Sequence, residues 1–237
     1  MTPIAANLAA VHERIERANR AAGRSPGSVQ VLAVSKTQPP EAIRAAAAAG
    51  QRAFGENYLQ EALAKQQALA DLALEWHFIG PLQSNKTRAV AESFTWVHSV
   101  DRLKLAERLS AQRPATLPPL NVCVQINISG EDSKSGCAPD EALALCQAIA
   151  VMPRLKLRGL MAIPAPVADG ADARAPFRVL REHFEALRRA GLQVDTISAG
   201  MSDDLEAAIA EASTLIRIGT AIFGARGAAS PSATPAA

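Results

Sequence analysis

Short apolar runs rich in β-branched residues alternate with helical segments eight times along this chain of 237 residues. Each run has the length of a buried strand and is followed by a segment with helical character. Strand-then-helix units build parallel sheets, and eight such units within roughly 200–250 residues close into a barrel. The predicted strands are residues 29–35, 53–55, 76–79, 95–100, 120–128, 155–163, 194–198 and 215–218. These units predict an α/β fold, a (β/α)8 TIM barrel.

A helix over residues 4–22 with one apolar stripe precedes the first strand and is additional to the eight units. An open doubly wound sheet is the alternative for this alternation. No Gly-x-Gly-x-x-Gly follows the first strand, which disfavours a dinucleotide-binding sheet. We expect a single barrel domain over residues 1–226. Residues 227–237 are small residues and proline that cannot bury apolar surface, so a disordered tail is expected.

Composition disfavours several kinds of partner and compartment. The chain has 25 basic and 23 acidic residues, and its aromatic content is 4%, which gives no reason to expect nucleic acid or an anionic membrane. No apolar stretch approaches the ~20 residues of a membrane helix, and the first ten residues lack the pattern of a signal peptide. Cys123, Cys137 and Cys146 have neither metal-binding nor redox spacing. A cytoplasmic protein without a metal is therefore expected.

Polar residues follow most of the predicted strands, and in barrels of this type function gathers at the C-terminal strand ends. Asp101 and Ser202 are predicted to cap the helices after the fourth and seventh strands. His77 lies on a short strand, where it is either a satisfied core histidine or a site residue. The polar or otherwise notable residues at the strand ends include Lys36, Asn57, Asn85, Asn127, Met161, Ser198, Ser202, Gly219 and Thr220.

Lys36 directly follows the apolar run Val-Leu-Ala-Val-Ser of the first strand. A lysine at the edge of a barrel interior is unusual, because burying an ammonium costs several kcal/mol. Partial burial favours a lysine whose amine condenses with an aldehyde, since desolvation frees the nucleophile. From spacing alone, Lys36 either serves that chemistry or points outward to solvent.

A second signal lies at the seventh and eighth strands. Gly200-Met201-Ser202 and Gly219-Thr220 each begin a predicted helix there. Barrels often bind phosphate in these two loops, where backbone N–H groups at a helix start are free. Arg217, on the last strand, either packs under the helices with a carboxylate or projects toward the same site. The two loops together favour an anion-binding cradle over an ordinary turn and an ordinary cap.

Six segments in this order resemble the pyridoxal phosphate homeostasis protein family. They are VLAVSKTQP, FGENYLQEA, WHFIGPLQSNKTR, GLMAIP, GMSDDLEAAI and IRIGTAIFG, and the resemblance runs from residue 29 to residue 226. It implies a barrel similar to the N-terminal domain of alanine racemase, usually monomeric. It also implies pyridoxal 5′-phosphate (PLP) held as a Schiff base on Lys36. The chain departs from the common family pattern at Ala199 and Ala212, both near the predicted phosphate loop.

The resemblance assigns further residues to the cofactor. Asn57 would line it, Ser202, Gly219 and Thr220 would hold its phosphate, and Arg217 would face its pyridine nitrogen. An arginine there keeps that nitrogen unprotonated, which makes the cofactor a poor electron sink. The complete predicted set is Lys36, Asn57, His77, Met161, Ser198, Ser202, Arg217, Gly219 and Thr220.

Three functions are compatible with these features. The first is a non-enzymatic PLP carrier or buffer in vitamin B6 homeostasis, with PLP-dependent apo-enzymes as recipients. The second is a PLP-dependent racemase-like enzyme, which needs acid and base groups on both substrate faces. The chain ends shortly after the last predicted strand, and Tyr58 is its only tyrosine, so the carrier is favoured. The third is an aldolase with Lys36 and a phosphosugar, which the six segments disfavour.

Overall fold

Eight parallel strands form a closed barrel in chain order. The structure is a computed structural model that describes residues 2–130, 135–165 and 172–224. The barrel closes where the first strand pairs with the last, with Gln30 opposite Leu215. The strands are β1 (Gln30–Val34), β2 (Ala53–Glu56), β3 (Glu75–Phe78), β4 (Trp96–Val100), β5 (Leu120–Gln125), β6 (Leu155–Met161), β7 (Thr196–Ser198) and β8 (Leu215–Ile218). The predicted TIM barrel is confirmed.

Helices surround the barrel and connect its strands. The additional N-terminal helix α1 (Pro3–Ala21) packs against α2, α8 and α9. The others are α2 (Pro40–Ala48), α3 (Leu59–Ala68), α4 (Thr87–Ser93), α5 (Leu103–Gln112), α6 (Ala142–Ala150), α7 (Ala175–Arg189), α8 (Leu205–Ala210) and α9 (Thr220–Phe223). In the described part of the chain, no helix combines the length and apolarity needed to cross a membrane.

Two predicted helix caps are wrong. Helix α5 begins at Leu103 after Arg102, and Asp101 forms an ion pair with the Arg102 guanidinium instead. Helix α8 begins at Leu205, so Ser202 lies in the preceding loop. There the Asp204 carboxylate accepts the backbone N–H of Met201 at 2.5 Å. The Asp204 carboxylate therefore makes the side-chain hydrogen bond in this turn that was predicted for Ser202.

Several predicted element ends also shift. Strands β5 and β6 end three and two residues before the predicted ends at 128 and 163, because the chain turns toward the loops at the rim. The N–H of Asn127 donates to the carbonyl of Cys137 rather than continuing the barrel ladder. The predicted start of the helix at residue 171 and the predicted tail 227–237 lie outside the described residues.

The main apolar core lies between the strands and the surrounding helices. Two smaller buried clusters are separate from it: Leu32, Ile79 and Leu215 in one, and Trp96, Cys123 and Met161 in the other. The barrel also contains buried polar side chains, among them His77, His98, Ser198 and Arg217. Buried polar groups are stable only when they are hydrogen-bonded, so the barrel interior needs its own bonding network.

Candidate functional site

A cavity of about 600 Å³ opens at the C-terminal rim of the barrel. That volume suits a small-molecule or cofactor site. Six of the nine predicted site residues line it: Lys36, Asn57, Ser202, Arg217, Gly219 and Thr220. The remaining lining residues are Arg14, Val34, Gln38, Ile79, Ile163, Met201, Asp203, Ala221 and Gly224. Residues from β1, β8, helix α1, the loop before α8 and the segment directly after β2 thus meet at one rim.

Lys36 is half-buried, at the turn that follows β1. The next residue, Thr37, has a φ of 65°, which is uncommon for a β-branched residue. Its backbone N–H donates to Glu61 Oε1 at 2.5 Å, which holds the turn in this conformation. Strained backbone of this kind persists only where surrounding contacts enforce it, and it clusters at functional sites. The Lys36 side chain therefore starts from a fixed backbone at the cavity wall.

A buried ionic cluster lies beside this turn. The Lys65 ammonium donates to the Ser35 carbonyl at 2.6 Å, to Glu56 Oε1 at 2.8 Å and to Glu61 Oε1 at 2.5 Å. The Ser35 hydroxyl also donates to Glu56 Oε1, at 2.6 Å. Burial raises the pKa of Glu56, and the hydrogen bonds from Lys65 and Ser35 oppose that rise. The cluster thus holds both neighbours of Lys36, Ser35 directly and Thr37 through Glu61.

Asn57 presents a buried acceptor without a partner to this part of the barrel. Its Oδ1 is buried and accepts no hydrogen bond from the described residues. A Cβ at Gly80 would lie 2.3 Å from the Asn57 carbonyl oxygen, so only glycine allows the two backbones to come this close. A buried acceptor left without a donor is costly, and such groups in native proteins usually await a ligand or water. Asn57 therefore has capacity for a ligand donor.

Arg217 points into the barrel and lines the cavity floor. Its Nη1 donates to the carbonyl oxygen of Ser198 at 2.5 Å and to the Ser198 hydroxyl at 3.0 Å. Its Nη2 donates to the carbonyl of Ala162 at 2.9 Å. Burial lowers the pKa of Arg217 to about 10, so the guanidinium is still charged at pH 7. Of the two predicted placements, projection toward the site is the observed one.

The two predicted anion-binding loops also line the cavity. Thr220 begins α9, whose first N–H groups have no intrahelical acceptor. A Cβ at Gly219 would lie 3.3 Å from the carbonyl oxygen of Val34, a tight contact that keeps this loop close to β1. Ser202 lies in the loop before α8. The seventh and eighth loops therefore face the same cavity as Lys36.

Helix α1 contributes a residue that sequence reasoning missed. Arg14 lines the cavity, and its Nη1 donates to the Ser202 carbonyl at 2.6 Å. The same guanidinium forms a two-bond fork with the Glu206 carboxylate, at 2.5 and 2.6 Å. Asn7, on the same helix, donates to the Ile222 carbonyl of α9 at 2.9 Å. No sequence signal marks Arg14, because charged residues are ordinary on the exposed part of such a helix.

The other three predicted site residues lie in the barrel interior and do not line the cavity. Met161 is fully buried with Trp96 and Cys123. Ser198 accepts from Arg217, and its Oγ lies 2.8 Å from His98 Nδ1. His77 is also buried and contacts His98. Ser198 therefore contacts a cavity residue, whereas His77 is two residues further from the cavity, beyond Ser198 and His98.

No group of described residues has the arrangement of a metal site. The cavity offers a primary amine, a buried acceptor, a fixed guanidinium and two loops with hydroxyl and backbone donors. This set suits an elongated molecule with an aldehyde at one position and an anion at another.

Comparisons with known proteins show which family this chain resembles. The family described as "Alanine racemase, N-terminal domain" matches residues 6–227. The chain is 63% identical over 231 residues to the pyridoxal phosphate homeostasis protein of Pseudomonas aeruginosa, with coverage of 98% of this chain and 99% of that protein. It is 56% identical to the protein of the same name from Escherichia coli, with coverage of 95% and 98%.

Solved structures with the same fold include one that contains PLP. The structure of PipY from Synechococcus elongatus with PLP bound is 39% identical, has a TM-score of 0.82, and is matched over 93% of this chain and 100% of that chain. Alanine racemase from Corynebacterium glutamicum is similar in fold alone, with 18% identity and a TM-score of 0.68. That alignment covers 93% of this chain and 59% of the racemase.

Proposed function

This chain belongs to the pyridoxal phosphate homeostasis protein family, and we propose that it holds PLP at the C-terminal rim of its barrel through the amine of Lys36. PLP is its cofactor, and PLP homeostasis is its role. The observation that carries the proposal is the convergence on one cavity of Lys36, of Arg217 and of the loop at Thr220.

The described residues fit this cofactor. The partnerless Oδ1 of Asn57 is a buried acceptor for a ligand donor. Arg217 presents a charged donor group that cannot accept a hydrogen bond, which suits an unprotonated ring nitrogen. Ser202, Gly219 and Thr220 supply hydroxyl and backbone donors for a phosphate dianion. When bound, PLP supplies an aldehyde that condenses with a primary amine.

The residues of this chain do the binding and orienting. The Lys65 cluster fixes the backbone on both sides of Lys36, so the amine reaches the cavity from a defined origin. Arg217 is held by interior acceptors and cannot rotate away without breaking three hydrogen bonds. Arg14 ties the Ser202 loop to α8, which keeps that loop in place for an anion.

We further propose that the chain is a carrier or buffer of PLP without robust turnover. A two-base racemase needs a second proton-exchanging group across the substrate from its lysine. Lys36 is the one amine among the described lining residues, and Asp203 is their one carboxylate, in the loop with Ser202. Tyr58, the only tyrosine, is 57% exposed and does not line the cavity. As a carrier in the cytoplasm, the chain would pass PLP to apo-enzymes, and we expect it to act as a monomer.

Titration of the purified chain with PLP tests the binding proposal. A new absorbance band near the visible edge should appear with wild type and with Lys104→Ala, whose lysine is exposed on α5, and should be absent with Lys36→Ala. Loss of the band in both variants, or in neither, would refute the role of Lys36. Incubation with L-alanine followed by chiral analysis tests the carrier proposal, and appreciable D-alanine would overturn it.

A further inference from the structure

A chain of hydrogen bonds crosses the barrel interior below the cavity. It begins at Arg217 on β8, passes through Ser198 on β7 and His98 on β4, and reaches His77 on β3. The distances along it are 3.0 Å, 2.8 Å and 2.9 Å. All four side chains are buried. The chain therefore links opposite walls of the barrel through side chains alone.

The Glu75 carboxylate lies beyond the far end of this chain, at the opposite rim. Glu75 is the first residue of β3, two positions before His77, so both side chains lie on the same face of the strand. His77 Nε2 lies 3.5 Å from Glu75 Oε1, an electrostatic contact that is outside hydrogen-bond geometry. The indole N–H of Trp96 donates to that same oxygen at 2.5 Å. The Trp96 ring also stacks on His77 with ring centroids 5.1 Å apart. Glu75 is thus held against the histidine.

We propose that Ser198, His98 and His77 form a directional relay between the Glu75 carboxylate at one end of the barrel and the Arg217 guanidinium at the cavity floor. The relay holds the guanidinium in position. The inference rests on the proposed function only for the statement that Arg217 faces the bound cofactor. The relay itself is a property of the chain without PLP.

Its direction is set by the chemistry of the two ends. An arginine can only donate, and an ionised carboxylate can only accept. Arg217 therefore donates to Ser198 Oγ, and the Ser198 hydroxyl donates to His98 Nδ1. His98 Nε2–H then donates to His77 Nδ1, which leaves the His77 proton on Nε2, facing Glu75.

The reverse direction fails at both ends. Among the described residues, the Ser198 hydroxyl has no acceptor besides His98 Nδ1. A reversed chain would leave that hydroxyl proton unpaired inside the barrel. It would also place an unprotonated Nε2 of His77 against the Glu75 carboxylate, acceptor against acceptor. Buried polar groups left unpaired are costly, which selects the forward direction.

The charge states agree with this direction. Burial lowers the pKa of His77, although Glu75 opposes the shift. Burial, with the nearby His77 and Arg217, lowers the pKa of His98 well below its ordinary value. The nearby His77 ring and the hydrogen bond from Trp96 lower the pKa of Glu75, against the opposing effect of its partial burial. At pH 7 the relay therefore has one cation and one anion at its ends and two neutral rings between them, each with one proton.

Nitrogen NMR of the chain without PLP, with histidine labelled by ¹⁵N, tests the relay directly. Both His77 and His98 should be neutral at pH 7 and protonated on Nε2, with His12 and His183 as references on α1 and α7. A proton on Nδ1 of either relay histidine would overturn the proposal. This result does not depend on PLP binding, so it is independent of the proposed function.

Ser198→Ala tests whether the relay positions Arg217. The His98 Nδ1 resonance should move toward that of a nitrogen without a hydrogen bond, PLP affinity should fall about three- to tenfold, and the absorbance maximum of bound PLP should shift. Ser110→Ala is the matched control, since Ser110 is a buried serine on α5 outside the relay. Unchanged affinity and absorbance in Ser198→Ala would refute positioning by the relay. Absence of PLP uptake by wild type would refute the proposed function and leave the tautomer result standing.

Discussion

The ammonium of Lys65 lies 2.6 Å from the carbonyl oxygen of Ser35, the residue directly before Lys36. A buried lysine thus holds the backbone from which the proposed cofactor lysine extends. Lys65 is on α3 and Ser35 follows β1, so the contact also joins two βα units of the barrel. Both residues are buried, which makes the interaction insensitive to screening by salt.

Replacing Lys65 by methionine should reduce the free energy of unfolding by about 3–5 kcal/mol, because Glu56 would remain buried without its cation. Denaturant unfolding of the chain without PLP measures this. The matched control is Lys104→Met, an exposed lysine on α5, for which a change within about 0.5 kcal/mol is expected. Equal effects of the two substitutions would show that the buried cluster does not stabilise the fold.

The contribution of Glu56 to the free energy of unfolding should decrease as pH rises. Its folded pKa is raised, chiefly by burial, so the folded state binds more protons than the unfolded state in the window above pH 4.5. That contribution is full below the unfolded pKa and is lost as pH rises through the folded pKa. Glu56→Gln should therefore make stability decline less, or rise more, with increasing pH across this window.

Unfolding curves collected from pH 4.5 upward measure that slope. Ser110→Ala serves as a control that changes stability without removing a titrating group, so its slope should match that of wild type. A Glu56→Gln slope equal to the wild-type slope would contradict the raised pKa.

Thr220→Val should weaken PLP binding by ~1–3 kcal/mol, the cost of leaving a charged acceptor short of one hydrogen bond. Thr220 begins α9 at the cavity, where the phosphate is proposed to bind. Pyridoxal, which lacks the phosphate, is the matched ligand and should bind wild type and variant equally. Equal PLP affinity in wild type and variant would remove Thr220 from the proposed phosphate site.

Arg14→Gln should weaken PLP by roughly 0.5–1.5 kcal/mol while pyridoxal binding stays unchanged. The substitution breaks the tie between α1 and the Ser202 carbonyl and the fork with Glu206. The same variant should raise the pKa of Glu206, which the Arg14 hydrogen bond now lowers, and carboxyl NMR measures this. Arg20→Gln, an exposed arginine near the end of α1, is the control. Equal losses for PLP and pyridoxal would refute a role at the anion end.

The sequence predicts the barrel well, because the hydrophobic periodicity of the segments and the order of strands and helices can be read without knowing any tertiary contact. Each apolar run is long enough for one strand, and Lys36 and Thr220 fall at strand ends whichever residue ends the strand. The caps at Asp101 and Ser202 were less predictable. The Asp101 carboxylate accepts from the Arg102 guanidinium instead of capping the helix, and the Asp204 carboxylate, not Ser202, accepts the N–H of Met201. Propensity alone does not rank such competitors.

The supporting residues were not predictable, for a different reason. Arg14 and Lys65 reach the site from helices, so their positions depend on how α1 and α3 pack on the barrel. His77 was recognised as a residue that could face the barrel interior, but its bond to His98 depends on the register of β3 and β4. Sequence spacing identifies the residues at the end of each strand and misses those that a neighbouring element contributes.

Borohydride reduction of the PLP-loaded chain, followed by peptide mapping, identifies the lysine that holds the cofactor. Reduction fixes the cofactor to whichever lysine holds it, so the label reports the residue without any substitution. If Lys36 holds PLP, a phosphopyridoxyl group should be found on the peptide that contains Lys36, in near-stoichiometric yield. A label on another lysine, or one spread over many lysines with Lys36 unmodified, would contradict it.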